Sequence, residues 1–85
     1  MTSLKTLTTT LGTFLKSYGG SEYKNAELSS MKMVFTGLME ILNLDGPTSI
    51  IKNKLIKKIN NMKTKEKLLF AVSEEMFKLE GMGTE

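Results

Sequence analysis

Apolar side chains recur along this chain at steps of three and four residues, in four runs separated by short polar or glycine-containing breaks. In the first run Leu4, Leu7, Leu11, Phe14 and Tyr18 share one helical stripe with Leu15 beside it, and Thr6, Thr9, Thr10 and Thr13 face the other way. Strict alternation, the mark of a half-buried strand, is absent. The spacing predicts a helix over about residues 3–18, capped by Thr2 or Ser3 and closed by Gly19 and Gly20. Threonine and Gly12 are weak helix formers, so this helix has to be held by packing.

Residues 19–25 read as a loop, with Asn25 placed to cap the next helix. The second run, about 26–44, carries Leu28, Met31, Phe35, Leu38 and Leu42, widened by Val34, Met39 and Ile41. At 100° per residue its apolar arc spans about 160°, which predicts a central helix touching two or more neighbours. Asp45-Gly46-Pro47 then breaks the pattern, and Thr48 or Ser49 offers a new cap. In the third run, about 49–62, Ile51, Leu55, Ile56, Ile59 and Met62 oppose a face of lysines and asparagines. Thr64 is placed to cap a fourth helix, about 65–80, with Leu69, Val72, Met76 and Leu79 as its seam and Leu68 alongside. Phe70 and Phe77 point to a second side of it. Gly81 suits the position after its end, which leaves 81–85 as a flexible tail. The expected fold is all-α: a compact bundle of four short helices in one domain, residues 1–80.

Composition narrows the chemistry. With 85 residues and 9.5 kDa the chain has room for a single thin core. It has no cysteine and no histidine. Disulfides, thiolate metal sites and histidine-based nucleophile systems are thereby excluded. Glu74 and Glu75 are adjacent and diverge by about 100° on a helix, so they do not form a converging acid–base pair. No catalytic, cofactor or metal site is expected. No apolar run approaches the ~20 residues of a membrane span or shows the pattern of a secretory leader. The expected address is the cytoplasm, that of a host cell if the gene is viral, and no membrane partner is expected.

Charge adds one strong feature. All 12 cations are lysine, and the formal net charge is +3. From Lys52 to Lys67 the chain carries seven lysines (52, 54, 57, 58, 63, 65 and 67) against one acid, Glu66. Residues 74–85 carry four acids and one lysine, so a basic segment is followed by an acidic one. Lysine presents a point charge and lacks the planar fork with which arginine grips phosphate or guanine. The segment 49–67 accordingly supports three readings: a solvated helix face, a nucleic-acid contact through the lysines, or attraction to an acidic protein surface.

A second candidate surface is apolar. Seven methionines occur in the chain, and methionine surfaces adapt easily to a partner. Met33, Phe70 and Phe77 leave the seams of their helices, and Tyr18 and Tyr23 flank the Gly19-Gly20 loop. These five are the candidate partner-binding residues. The reading that follows is a non-catalytic module that binds another protein, as a regulator, inhibitor or assembly factor. It is expected to self-associate through the first or second helix seam. A nucleic-acid-binding regulator and a structural virion component are the alternatives. An arginine-free, Lys/Asn-rich chain of this size fits the product of a small phage gene.

Overall fold

The computed structural model describes residues 2–83, with side-chain environments for 3–82. Four α-helices follow one another: α1 Thr2–Ser17, α2 Leu28–Glu40, α3 Gly46–Asn60 and α4 Lys65–Gly83, with a 3-10 turn, Glu22–Asn25, between the first two. No strand occurs among the described residues, and the all-α bundle is as expected.

α1 holds its helix despite the threonines because their hydroxyls stay inside it. Thr8 donates to the Leu4 carbonyl, Thr10 to Thr6, Thr13 to Thr9 and Ser17 to Thr13, at 2.9–3.1 Å. This internal bonding removes the competition that makes such residues poor helix formers. Gly12 sits where α1 meets α4. A β-carbon built there would lie 3.7 Å from the Met76 sulfur, an ordinary contact distance. Gly20 alone among the described residues takes a left-handed backbone, φ 61°, and with Gly19 it closes the corner after α1. The Thr2 cap lies outside the described side chains. Ser3, the other predicted cap, instead accepts the Asp45 backbone N–H at 3.2 Å, tying the start of α1 to the α2–α3 turn.

The other boundaries shift from their predicted places for local reasons. α2 starts after Glu27, which makes no side-chain cap, and Asn25 closes the 3-10 turn instead. It ends at Glu40, four residues early, so Ile41 points into solvent at 78% exposure while Leu42 and Leu44 turn back against the core. Val34 is also exposed, so the wide apolar arc of α2 is only partly used. α3 starts at Gly46 because Asp45 is its cap, accepting the Thr48 N–H at 2.9 Å, with Pro47 in the first turn. This bond holds the Asp45 carboxyl below its ordinary pKa. α4 is capped by Thr64, whose hydroxyl accepts the Lys67 N–H at 3.1 Å. It continues through Gly81 and Met82 to Gly83, three residues into the predicted tail. Gly81 keeps a right-handed backbone there, so no helix stop forms. Residues 84 and 85 lie outside the described residues.

The core joins all four helices. Leu7, Leu11 and Phe14 come from α1; Met31, Phe35 and Met39 from α2; Leu55 and Ile59 from α3; Leu68, Ala71, Val72 and Leu79 from α4. Phe14 is central, edge-on to Phe35 at 5.3 Å between ring centres. α1 packs most extensively on α4, and α2 on α3. The α4 seam is turned slightly from prediction: Leu68, Val72 and Leu79 are buried, while Leu69 and Met76 cover its edge.

Candidate protein-binding surface

α4 is apolar on two opposite sides. Leu68, Val72 and Leu79 point into the core, and Phe70 and Phe77 lie about 180° away from them on the same helix. The two phenylalanines are 69% and 65% exposed. Seven residues separate them, two helical turns, so they stand in line about 10 Å apart along the axis. The α1 contact that fixes one side of α4 leaves the other to solvent. Glu66, Lys67, Glu74 and Glu80 are exposed along the same outward side.

Beside this line, an open groove of about 390 Å³ runs between the end of α3 and the first turns of α4. Met62, Phe70 and Ala71 make it mainly apolar, with Lys58, Lys67, Glu66 and Glu74 around them. Lys67, three residues before Phe70 on α4, is its neighbour by spacing alone. The α3–α4 turn adds Lys58, a neighbour that only the fold supplies.

The seven lysines divide into different roles. Lys58 donates to a Glu75 carboxylate oxygen at 2.7 Å, and Lys78 adds a looser contact at 3.5 Å. Burial pushes the Glu75 carboxyl up, but the hydrogen bond and charge of Lys58, with help from Lys78, outweigh it and hold the group below its ordinary pKa. The same bond raises the Lys58 ammonium. Lys65 reaches the Ala26 carbonyl at 2.8 Å and the Lys24 carbonyl at 3.3 Å, with its ammonium 6.0 Å from the Tyr23 ring centre. It satisfies the end of the 3-10 turn and ties α4 to the α1–α2 connection. Lys58 and Lys65 thus hold the fold together. Lys54, Lys57, Lys63 and Lys67 are exposed, and Lys52 is half-buried.

Of the five candidate apolar residues, the structure brings only Phe70 and Phe77 together. Met33 is 75% exposed but belongs to a separate shallow groove on α2, with Ser29, Lys32, Thr36, Gly37, Glu40 and Asn60. Tyr18 packs 5.0 Å from Phe14, and Tyr23 lies half-buried under Lys65, so both tyrosines close the helix corner. Ile50, 58% exposed on α3, was missed although its place four residues before Lys54 puts it on the lysine face. The seams of α1 and α2 named for self-association are occupied by the core: Leu7, Leu11, Phe14, Met31, Phe35 and Met39 have no exposed surface.

Among the described residues no three acidic, histidine or cysteine side chains group to hold a metal ion. Among the described residues no helix is long and apolar enough to cross a membrane. No protein family, curated protein or solved structure matches this chain.

Proposed function

We propose that this chain is a small non-catalytic protein-binding module, acting as a regulator, inhibitor or assembly factor, with the outward side of α4 as its contact surface. One observation carries the reading: two aligned phenylalanines, each about two-thirds exposed, stand on a helix whose opposite side already completes the core. Exposed aromatic rings in line are costly in water and are the residue class that anchors interfaces. The flanking glutamates and lysines supply the polar rim that such patches carry.

Affinity capture from lysate, with and without nuclease, tests this using the full chain and a Phe70→Ser/Phe77→Ser variant. A nuclease-resistant protein held by the parent chain and lost by the variant is the expected result. The lysine-rich alternative rests on the exposure of Lys54, Lys57, Lys63 and Lys67. It predicts recovery of nucleic acid that is unaffected by the phenylalanine changes and falls steeply with salt. That outcome would replace the present reading.

A further inference from the structure

Asp45 is the one aspartate of the chain, and a glycine follows it. It is also a joint between elements. Its backbone N–H donates to the Ser3 hydroxyl at 3.2 Å, its carbonyl accepts the Ser49 N–H at 2.8 Å, and its carboxylate accepts the Thr48 N–H at 2.9 Å. A single residue thus links the start of α1 to the first turn of α3. The backbone does not demand the glycine beside it. Gly46 stays out of the left-handed region, and a β-carbon built on it meets nothing within 4 Å. Glycine does leave the amide nitrogen after Asp45 unshielded. Both residues are exposed, and the Gly46 N–H, one of the unpaired donors of a helix start, makes no hydrogen bond among the described residues.

We propose that Asp45–Gly46 is a modification site at which aspartate converts to isoaspartate, and that the cap of α3 keeps it closed. The Gly46 nitrogen attacks Cγ of the Asp45 side chain. A C–N bond forms, the nitrogen loses its proton, and one carboxyl oxygen leaves as water, giving a succinimide ring. Water then adds at the former main-chain carbonyl, whose bond to the Gly46 nitrogen breaks. The chain now runs through Cβ and Cγ, with a free α-carboxylate beside it. Nothing is oxidised or reduced, and the only co-reactant is water.

Two features of the fold oppose closure of the ring. Cβ has to swing into the plane of the Asp45–Gly46 peptide, away from the extended backbone, ψ 171°, in which Asp45 caps α3. The oxygen leaves most easily from a protonated carboxyl, whereas the Thr48 N–H, the Thr48 hydroxyl and the Ser3 hydroxyl hold this one below its ordinary pKa. The reaction therefore waits on opening of the cap. Once it has occurred the cap does not re-form, because the extra backbone atom displaces both the carboxylate and the carbonyl that Thr48 and Ser49 use. The first turn of α3, which contains the buried Thr48, loses its anchor.

The full chain, held in warm neutral buffer, tests this. Isoaspartate is read as methyl groups accepted from an isoaspartyl methyltransferase, and electron-transfer fragmentation fixes its position at residue 45. A synthetic peptide of residues 40–50 is the uncapped reference. The expected result is conversion in the folded chain several-fold slower than in the peptide, rising to the peptide's rate in urea. Ser3→Ala removes the tie to α1 without touching the reacting atoms, and should convert faster than the parent while circular dichroism shows it folded. Gly46→Ala should suppress conversion in buffer and in urea alike, since its methyl group crowds the attacking nitrogen. The isolated isoaspartate form should exchange its Thr48 and Ser49 amide protons faster than the parent.

Absence of isoaspartate at residue 45 in both urea and the peptide overturns the site. Conversion in the folded chain as fast as in the peptide, or a folded Ser3→Ala chain no faster than the parent, overturns the closure by the cap. Unchanged exchange at Thr48 and Ser49 in the isoaspartate form overturns its effect on α3.

Discussion

Both sides of α4 carry large apolar residues, and only one of them is buried. The inward side holds Leu68, Val72 and Leu79 at 3% exposure or less, against α1 and the rest of the core. The outward side holds two phenylalanines, larger than any of these, at about two-thirds exposure. Glu66, Lys67 and Glu74 stand around those rings, whereas the buried inward positions carry no charge. What decides is which side can meet the apolar stripes of the other helices, and a four-helix layer of this size covers only one. The contrast teaches that a surplus apolar line on a small domain is information about contacts beyond the chain.

Substitutions separate the two sides by size of effect. Leu68→Ala should have the largest, costing about 2–5 kcal/mol of stability through lost burial and an unfilled cavity. In a domain this small that is most of the folding free energy, so urea denaturation should show a much lower midpoint or no transition. A cost below about 1 kcal/mol would mean that the inward side is loosely packed and the contrast between the sides is weaker than described.

Gly12→Ala probes the α1 surface against which the inward side rests. The added β-carbon has room, at 3.7 Å from the Met76 sulfur, and removes a flexible residue from a helix interior. Stability should rise by about 0.5–1 kcal/mol, read as a higher melting temperature. A loss would show that α1 and α4 approach more tightly than this spacing.

Glu75 lies on the edge between the sides, and its pair with Lys58 joins α4 to α3. Lys58 is partly exposed, which keeps the pair at the modest scale of surface ion pairs, so Glu75→Gln should cost about 0.5–1 kcal/mol near neutral pH. The Glu75 carboxyl is held below its ordinary pKa in the folded chain. Its contribution is therefore present above the unfolded value of about 4.3 and is lost as pH falls through the depressed folded value. The parent and variant melting curves should converge in acid; a gap that persists there would remove the ion pair as its cause. Asp45, depressed by the Thr48 N–H, adds to the same acid-side loss in both proteins.

The smallest effect belongs to the outward side. Phe70→Ala should change stability by no more than about 0.5 kcal/mol, despite removing a larger side chain than Leu68→Ala does. Denaturation midpoints of the two variants, compared side by side, give the sharpest form of the contrast. A large loss at Phe70 would make that ring part of the fold and remove it from the candidate surface.

Much of the architecture was legible in periodicity because each helix needs one apolar stripe, and steps of three and four reveal it. Leu7, Leu11 and Phe14, or Leu55 and Ile59, could be assigned to the core from spacing alone. Helix ends were less legible. The Asp45 cap, the early end at Glu40 and the passage of α4 through Gly81 depend on single hydrogen bonds and on backbone angles. A glycine can serve as a stop or as an ordinary helical residue, and pattern does not say which. The candidate surface was half legible: Phe70 and Phe77 left their seam visibly, but Tyr18, Tyr23 and Met33 were placed with them and belong elsewhere. The two tyrosines pack at the corner between α1 and α2, Tyr18 against Phe14 and Tyr23 beneath Lys65.

By itself, the sequence determined the helical class, the four segments, the absence of histidine and cysteine chemistry, and the basic-then-acidic order of its charges. These follow from composition and short-range spacing, which a linear chain records directly. Tertiary structure decided which side of α4 is buried, which lysines are tied to Glu75 and to the Lys24 and Ala26 carbonyls, and which stand outward with Ile50. Those outcomes depend on contacts between residues far apart in the chain, where a rotation of one helix by a single residue step exchanges a buried side chain for an exposed one.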